Sequence, residues 1–373
     1  MNKNEIGLYI HIPFCKHKCD YCDFVSFANK EELIEKYIQA LITEIKQEHL
    51  ETYRIKTIYI GGGTPSVIDS KYITEILNAI NTKYAKEITI EVNPGTVDKE
   101  KLQSYYNAGI NRLSIGLQST NNKLLKQIGR IHTYEQFLIT YNLAREIGFN
   151  NINVDLMIGL PNQTILDVEK SIEEIIELNP QHISVYSLIV EDGTAMESKI
   201  RNGILKLPED EQERKMYWVV KTKLEEAGFI HYEISNFAKP GFESKHNYSC
   251  WEQEEYVGVG LAAHSYINKT RYSNTENLSK YLTNRTQNIT IYEFQNIEEQ
   301  EKEYMLLGLR KIQGVDIQKF KNKFTENPIY LYREELNKMF KNKLIEIDAN
   351  YIRLTKKGID LANLVWEEFV WIV

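Results

Sequence analysis

Six short apolar runs separated by helix-length segments constrain the fold of this chain more than any other feature. Strands joined by crossover helices pair in parallel, and a parallel sheet is buried on both of its faces. In the first run, Leu8, Ile10 and Ile12 fall on one face of a strand. The six runs cover residues 7–14, 57–63, 87–94, 112–118, 151–160 and 182–190. We therefore predict an α/β fold with a partial (β/α)6 barrel, two units short of an eight-fold TIM barrel.

The alternation ends near residue 240, and the chain then changes character twice. Residues 245–266 are rich in glycine and aromatic side chains without a helical period, and residues 268–290 are polar. Helical segments and an alternating pair at 344–355 follow, a combination that resembles a winged-helix module. We predict three regions: a barrel core at 1–240, a connecting segment at 241–296, and a mostly helical, winged-helix-like domain at 297–373.

Three of the four cysteines lie in one short loop after the first predicted strand. Cys15, Cys19 and Cys22 form a C-x3-C-x2-C loop. In a chain without a secretion signal, such clustering indicates metal binding or catalysis rather than disulfides. Three thiolates can hold three irons of a [4Fe–4S] cube and leave the fourth iron open. The alternative is structural zinc, which would need a fourth ligand such as His17 or Cys250.

The cysteine loop does not stand alone. Together with Tyr21 and the glycine run at 61–65, it resembles radical S-adenosylmethionine (SAM) proteins. Motifs at 9–15, 61–65, 91–94, 112–118, 129–132 and 155–161 follow the order of the oxygen-independent coproporphyrinogen III oxidase family. This resemblance implies a radical SAM core with a [4Fe–4S] cluster. It also implies SAM on the open iron and an electron donor such as a flavodoxin or ferredoxin.

The resemblance also implies which residues hold these groups. Cys15, Cys19 and Cys22 would be the cluster ligands. The implied contacts to cluster-bound SAM are Tyr9, Tyr21, Gly63, Thr64 and Glu91, and the positions matching a second SAM of the oxidase branch are Gln118, Arg130 and Asp155. For the carboxylates of Glu91 and Asp155, an internal arginine such as Arg112 or Arg130 is the alternative partner. For His264, contact with SAM and packing within the local structure are the two alternative roles.

Several departures from the oxidase pattern favour the branch of this family that is regarded as heme chaperones. Phe24 stands where the oxidase has a fourth cysteine, and only eight residues precede Tyr9. The run His246–Trp251 resembles the H-N-x-x-Y-W motif of that branch, with Cys250 in place of its tyrosine. His246 is the candidate heme contact, because a neutral imidazole commonly ligates iron, and a polar loop histidine is the alternative.

Two functions follow from this resemblance. The first is binding of heme and its delivery to membrane-bound respiratory hemoproteins. The second is radical oxidative decarboxylation of the porphyrinogen coproporphyrinogen III to protoporphyrinogen IX.

Composition limits the classes of partner and the cellular location that we expect for this chain. The 373 residues are 42% hydrophobic and carry a net charge of −7, which disfavours a uniformly basic nucleic-acid binder. The first residues lack the apolar core of a signal peptide, and no run approaches the roughly 18 apolar residues of a membrane span. We expect a cytoplasmic protein without a nucleic-acid partner, acting peripherally at the inner face of the membrane when it meets a hemoprotein there.

Overall fold

The computed structural model describes residues 3–283 and 289–370. The strands are β1 (Glu5–Ile12), β2 (Phe14–Cys15), β3 (Phe27–Ala28), β4 (Arg54–Gly62), β5 (Glu87–Val92), β6 (Arg112–Gln118), β7 (Ile152–Ile158), β8 (His182–Ser187), β9 (Ile230–Glu233), β10 (Asn236–Ala238), β11 (Tyr256–Val259), β12 (His264–Ile267), β13 (Thr270–Asn274), β14 (Ile289–Phe294), β15 (Val315–Asp316), β16 (Ile345–Ile347) and β17 (Tyr351–Leu354). The helices are α1 (Ile34–Gln47), α2 (Ser70–Asn78), α3 (Lys99–Asn107), α4 (Asn122–Gln127), α5 (Tyr134–Ile147), α6 (Ile165–Glu177), α7 (Ala195–Arg201), α8 (Asp210–Glu226), α9 (Lys245–Trp251), α10 (Leu278–Thr283), α11 (Ile297–Gly308), α12 (Ile317–Phe324), α13 (Pro328–Leu331), α14 (Arg333–Lys341), α15 (Lys356–Asp360) and α16 (Ala362–Trp366).

Twelve of these strands form the main sheet, in the order β14-β13-β12-β11-β1-β4-β5-β6-β7-β8-β10-β9. All neighbours from β11 to β8 pair in parallel, and the strands beyond them pair antiparallel. The six predicted apolar runs are β1 and β4 to β8, so the predicted α/β architecture with six parallel strands is confirmed. Within the described residues the sheet has two free ends and is open.

The outer face of the parallel strands is apolar. Leu8 lies beside Ile58 in the register of β1 and β4, and Ile58 lies beside Ile88 of β5. These side chains are at most 4% exposed and belong to the large core that the helices cover. The side chains predicted for one face of the first strand therefore do form the helix-covered side of the sheet.

The inner face is polar instead. Glu91, Ser114, Asn153 and His182 lie side by side across β5, β6, β7 and β8. The amide of Asn153 donates to Ser114 Oγ at 2.8 Å, and its Oδ1 accepts from His182 Nδ1 at 2.6 Å. Because buried polar groups are costly unless they are paired, this network fixes the side chains of neighbouring strands against each other.

Part of the predicted connecting segment belongs to the sheet. Within 241–296, β11 pairs in parallel with β1, and Lys245–Trp251 is a helix where the sequence showed no helical period. The buried carboxylate of Glu87 accepts the backbone N–H groups of Lys245 and His246, each at 3.0 Å. A contact with a distant strand thus anchors the start of α9. The boundaries of the three predicted regions stay predictions.

The last part of the chain has its own core. Helices α11, α12 and α14 pack with the sheet β15-β17-β16 around residues such as Met305 and Phe320, an arrangement of helices and a hairpin that agrees with the predicted winged-helix-like shape. The backbone N–H of Ile312 donates to the carbonyl of Tyr232 at 3.1 Å, which covers the free edge of β9. Among the described helices, none has both the length and the apolar character to cross a bilayer.

Replacing Glu87 tests how much this anchoring contributes to stability. We expect Glu87→Ala to lower the free energy of unfolding by about 1.5–3 kcal/mol, because two buried N–H groups at the start of α9 lose a charged acceptor. Urea unfolding followed by circular dichroism measures this change. The exposed Glu100→Ala is the matched control, and equal stability of the two variants would contradict the assigned role.

Candidate functional site

A cavity of about 450 Å³ opens where the parallel strands end. Cys15, Cys19 and Cys22 line it together. The predicted cofactor contacts that also line it are Tyr21, Gly63, Thr64, Glu91, Gln118, Arg130 and Asp155. Residues separated by more than a hundred positions in the chain are thus brought to one edge of the sheet, as expected for parallel strands whose carboxyl ends meet.

The cysteine loop is attached to two distant segments through Asp20. Its backbone N–H donates to the carbonyl of Ile128 at 3.2 Å, and its carbonyl accepts from the N–H of Met196 at 2.8 Å. Its carboxylate forms an ion pair with Lys199 at 2.6 Å. Gly129 has a φ of +76°, and a Cβ there would lie 2.9 Å from the Asp20 nitrogen, so this close approach requires glycine. These contacts attach the cysteine loop to the segments around residues 128 and 196.

Two of the thiols contact polar side chains. Thr64 Oγ1 donates to Cys15 Sγ at 3.6 Å, and Arg130 Nη1 donates to Cys19 Sγ at 3.5 Å. A Cβ on Gly63 would lie 2.9 Å from Cys15 Sγ, so the missing side chain leaves the space that the thiol occupies. Burial raises the pKa of Cys15.

The donor set suits an iron–sulfur cluster better than one zinc ion. No three His, Cys, Asp or Glu side chains within residues 3–283 and 289–370 are grouped as ligands of a single metal ion. A [4Fe–4S] cube takes its thiolates on different irons, so three separated cysteines around a cavity fit it. The cavity beside them leaves room for a ligand on the remaining iron.

Two partly buried carboxylates face the cavity, and neutral groups hold both. Tyr59 Oη donates to Glu91 Oε1 at 2.9 Å, and the N–H of Gly62 donates to Oε2 at 3.2 Å. Asn153 Nδ2 donates to Asp155 Oδ1 at 2.7 Å. Burial raises the pKa of Glu91 to about 7 and also raises that of Asp155. Each carboxylate retains capacity to accept from an ammonium or hydroxyl group of a ligand.

The direct contacts described for both carboxylates come from neutral groups rather than from an arginine. Within the described chain, neither Arg112 nor Arg130 forms an ion pair with Glu91 or Asp155. Arg112 acts only at longer range, where its charge lowers the pKa of both carboxyl groups against the larger effect of burial. Arg130 instead donates hydrogen bonds to Cys19 of the cysteine loop and to the carbonyl of Gly116 in β6.

Asn93 links these parts of the site. Its Nδ2 donates to Thr64 Oγ1 at 2.9 Å, and its Oδ1 accepts from Arg130 Nη2 at 2.8 Å. The chain of contacts therefore runs from Cys15 through Thr64, Asn93 and Arg130 to Cys19. Neither Asn93 nor Tyr59 was predicted to be a site residue. The sequence signal for Asn93 was its position directly after an apolar strand.

Gln118 reaches the cavity from a strained backbone position. Its φ is +74°, and the register of β6 against β7 shifts between Gly116 and Gln118. A left-handed residue other than glycine costs about 1–3 kcal/mol and persists where the surrounding structure holds it. The bulge directs the side chain of Gln118 toward the cavity rather than along the strand.

Tyr9 and His264 do not line this cavity. Tyr9 lies behind Tyr59 on the inner face, and its hydroxyl donates to His11 Nδ1 at 3.0 Å. His11 Nε2 in turn donates to the carbonyl of Val25 at 3.0 Å, so this histidine orients the end of the cysteine loop. His264 begins β12 opposite Ser273 and is exposed.

His246 lies at the other end of the barrel. It belongs to α9 rather than to a loop, and its Nδ1 shares a hydrogen bond with Thr57 Oγ1 at 3.0 Å. Thr57 precedes Gly62 by five residues, about 17 Å along the strand. His246 is 5% exposed, and burial lowers its pKa to about 4, so its imidazole is neutral. Tyr59 lies between it and Glu91, with ring centroids of Tyr59 and His246 5.4 Å apart.

The end of the same motif packs against the C-terminal region. The guanidinium of Arg310 lies 4.5 Å from the ring of Trp251 and 5.0 Å from that of Trp366. Burial raises the pKa of Cys250 to about 11, so this thiol is protonated at neutral pH and packs as a small apolar side chain. In this chain the motif joins two regions of the fold.

Comparison with known proteins covers nearly the whole chain. The profile of the radical SAM superfamily matches residues 9–175, and that of the HemN C-terminal domain matches residues 297–361. The heme chaperone HemW of Lactococcus lactis subsp. lactis is 40% identical over 367 residues, covering 97% of this chain and 96% of that protein. HemW of Bacillus subtilis is 39% identical over 372 residues, covering 97% and 98%.

A solved structure shares the fold. Coproporphyrinogen III oxidase (HemN) from Escherichia coli matches with a TM-score of 0.84 at 24% identity, covering 99% of this chain and 90% of that one. The superfamily match implies a [4Fe–4S] cluster and SAM, for which the cysteine cavity has a suitable donor set.

Removing one thiol tests the cluster ligands. We expect Cys19→Ala to lose iron and sulfide after anaerobic reconstitution while the fold remains, because the sheet and its core lie outside the loop. Iron and sulfide analysis with circular dichroism measures both. Cys250→Ala is the matched control and should load a full cluster. A Cys19→Ala protein that unfolds, or one that loads normally, would contradict the assignment.

Glu91 predicts a distinct pH dependence of stability. Its pKa is about 7 in the folded chain against an ordinary value of 4.5, so the folded state keeps a proton that the unfolded state releases. Stability from this group is present below pH 4.5 and is lost as pH rises to about 7, in total about 3 kcal/mol.

The variant Glu91→Gln removes this titration. Its free energy of unfolding, relative to that of the cluster-free wild type, should rise by about 3 kcal/mol between pH 4.5 and pH 8. Urea unfolding at several pH values measures the difference. Exposed Glu100→Gln should show no such trend, and parallel curves for Glu91→Gln and wild type would refute the elevated pKa.

Proposed function

The chain belongs to the HemW family within the radical SAM superfamily, and we propose that it binds heme and delivers it to hemoproteins at the membrane. The observation that carries the proposal is the exposed Phe24 at the mouth of the cysteine cavity. The resemblance to the oxidase branch puts a fourth cysteine at this position. An apolar side chain there suits contact with a macrocycle. The relatives from Lactococcus lactis and Bacillus subtilis are heme chaperones, which supports the same function.

The residues around the cavity have separable roles in this proposal. Cys15, Cys19 and Cys22 would hold the [4Fe–4S] cluster, which supplies one-electron chemistry at an open iron when it is bound. Arg130 donates to Cys19 Sγ and so places a positive charge beside this cluster ligand. Glu91, held by Tyr59 and Gly62, would accept a hydrogen bond from the amino group or a ribose hydroxyl of SAM.

Three other predicted contacts also have a role in this proposal. We propose that Tyr21, Gly63 and Thr64 form walls of the SAM site, because they line the cavity next to the cysteines. The electron would come from a flavodoxin- or ferredoxin-like donor in the cytoplasm. Heme transfer would take place at the inner face of the membrane. The heme contact proposed for His246 requires access to a side chain that is 5% exposed.

One observation favours the oxidase as a second candidate function. Gln118, Arg130 and Asp155 line the same cavity, as a second SAM would require in the oxidase branch. Conversion of coproporphyrinogen III to protoporphyrinogen IX would then be the reaction. A heme chaperone does not need to convert coproporphyrinogen III.

One anaerobic experiment separates the two functions. Cluster-loaded protein is titrated with hemin and followed by its Soret absorbance, and a second portion receives reductant, SAM and coproporphyrinogen III with chromatography of the porphyrins. We expect saturable hemin binding and no protoporphyrinogen. A transfer assay to an apocytochrome in membrane vesicles then tests delivery. Catalytic formation of protoporphyrinogen without hemin binding would establish the oxidase instead.

A further inference from the structure

We propose that heme lies across the mouth of the cysteine cavity, with its macrocycle against Phe24 and Ile189 and a propionate toward Lys18. This inference rests on the proposed heme-binding function and assigns the place and the residues for it.

The mouth exposes an apolar surface next to a polar interior. Phe24 is 65% exposed and Ile189 is 68% exposed, and both line the cavity. Large apolar side chains that face water together at the rim of a cavity mark a ligand surface. A flat aromatic macrocycle would cover these side chains, and contact with the ring of Phe24 adds stacking to the burial of area.

The interior of the cavity does not suit the macrocycle itself. Its volume of about 450 Å³ lies in the lower half of the range of about 300–1,000 Å³ for cofactor sites, and the cluster and SAM would occupy it. Its walls carry Ser114, Glu91 and Asp155. An apolar ring placed against these groups would leave buried polar atoms without partners. The macrocycle therefore fits at the rim, above the cofactors.

Charge at the rim orients the ligand. Lys18 lines the cavity from the exposed part of the cysteine loop, and its Nζ donates to the carbonyl of Phe24 at 3.1 Å. This contact places a cation beside the apolar residue that would support the ring. Asp23 and Glu191 also line the mouth, and their carboxylates repel propionates. Lys18 is thus the favourable partner for a carboxylate of heme.

The test compares hemin affinity between variants of the cluster-loaded protein under anaerobic conditions. The double variant Phe24→Ala/Ile189→Ala should raise the Kd for hemin by about tenfold or more, because both apolar contacts are lost. Lys18→Gln should raise the Kd by about two- to fivefold. The control is Ile139→Ala/Leu166→Ala, two residues 61% and 74% exposed on α5 and α6, and its Kd should equal that of wild type. Iron and sulfide content and circular dichroism confirm that each variant is folded and loaded.

The outcomes distinguish this inference from the function on which it rests. If wild type binds no hemin, the proposed function fails. If wild type binds hemin and the loaded double variant binds it with the same Kd, the inference is overturned and the proposed function stands. Loss of binding in folded His246→Ala, with unchanged Kd in the double variant, likewise places heme at the other end of the barrel. Phe24→Asp provides a second variant, expected to weaken binding at least as much as the alanine change.

Discussion

The structure depends on hydrogen bonding across the polar inner face of a buried parallel sheet. Asn153 connects Ser114, Asp155 and His182, and Tyr59 holds Glu91. Each of these groups would be costly to bury alone, so each fixes the position of the next. Because the network continues to the strand ends, the walls of the cysteine cavity are set by the same contacts that hold the strands in register.

Much of the fold was predictable because the outer face of the sheet follows a local rule. Leu8, Ile10 and Ile12 alternate with polar residues and pack under the helices, and the other five runs follow similarly. Helix α9 was not predictable in this way. It spans only seven residues, and the acceptor for its first N–H groups is Glu87, from a distant part of the chain. Its existence is a tertiary effect, which the pattern within 245–266 does not contain.

The candidate site likewise has a part that was predictable from the sequence and a part that was not. The spacing of the cysteines and the glycine run predicts chemistry that belongs to those residues themselves, and the structure brings them together. Tyr59 and Asn93 were not predicted, because their role is to hold Glu91 and Arg130 through hydrogen bonds. The place of His246 follows from where α9 packs, and no local pattern reveals it. Residues that act by touching other residues need the three-dimensional structure to be found.

The pairing of β1 has a consequence for how the protein is made. This strand is flanked by β4, which follows it closely, and by β11, which begins only at Tyr256. At about 5–20 residues per second, synthesis reaches β11 on the order of ten to fifty seconds after β1. During this time the nascent chain carries an unpaired strand edge, to which other extended chains can add. Until residue 259 has been added, this edge of β1 therefore lacks the strand of its own chain that covers it in the folded protein.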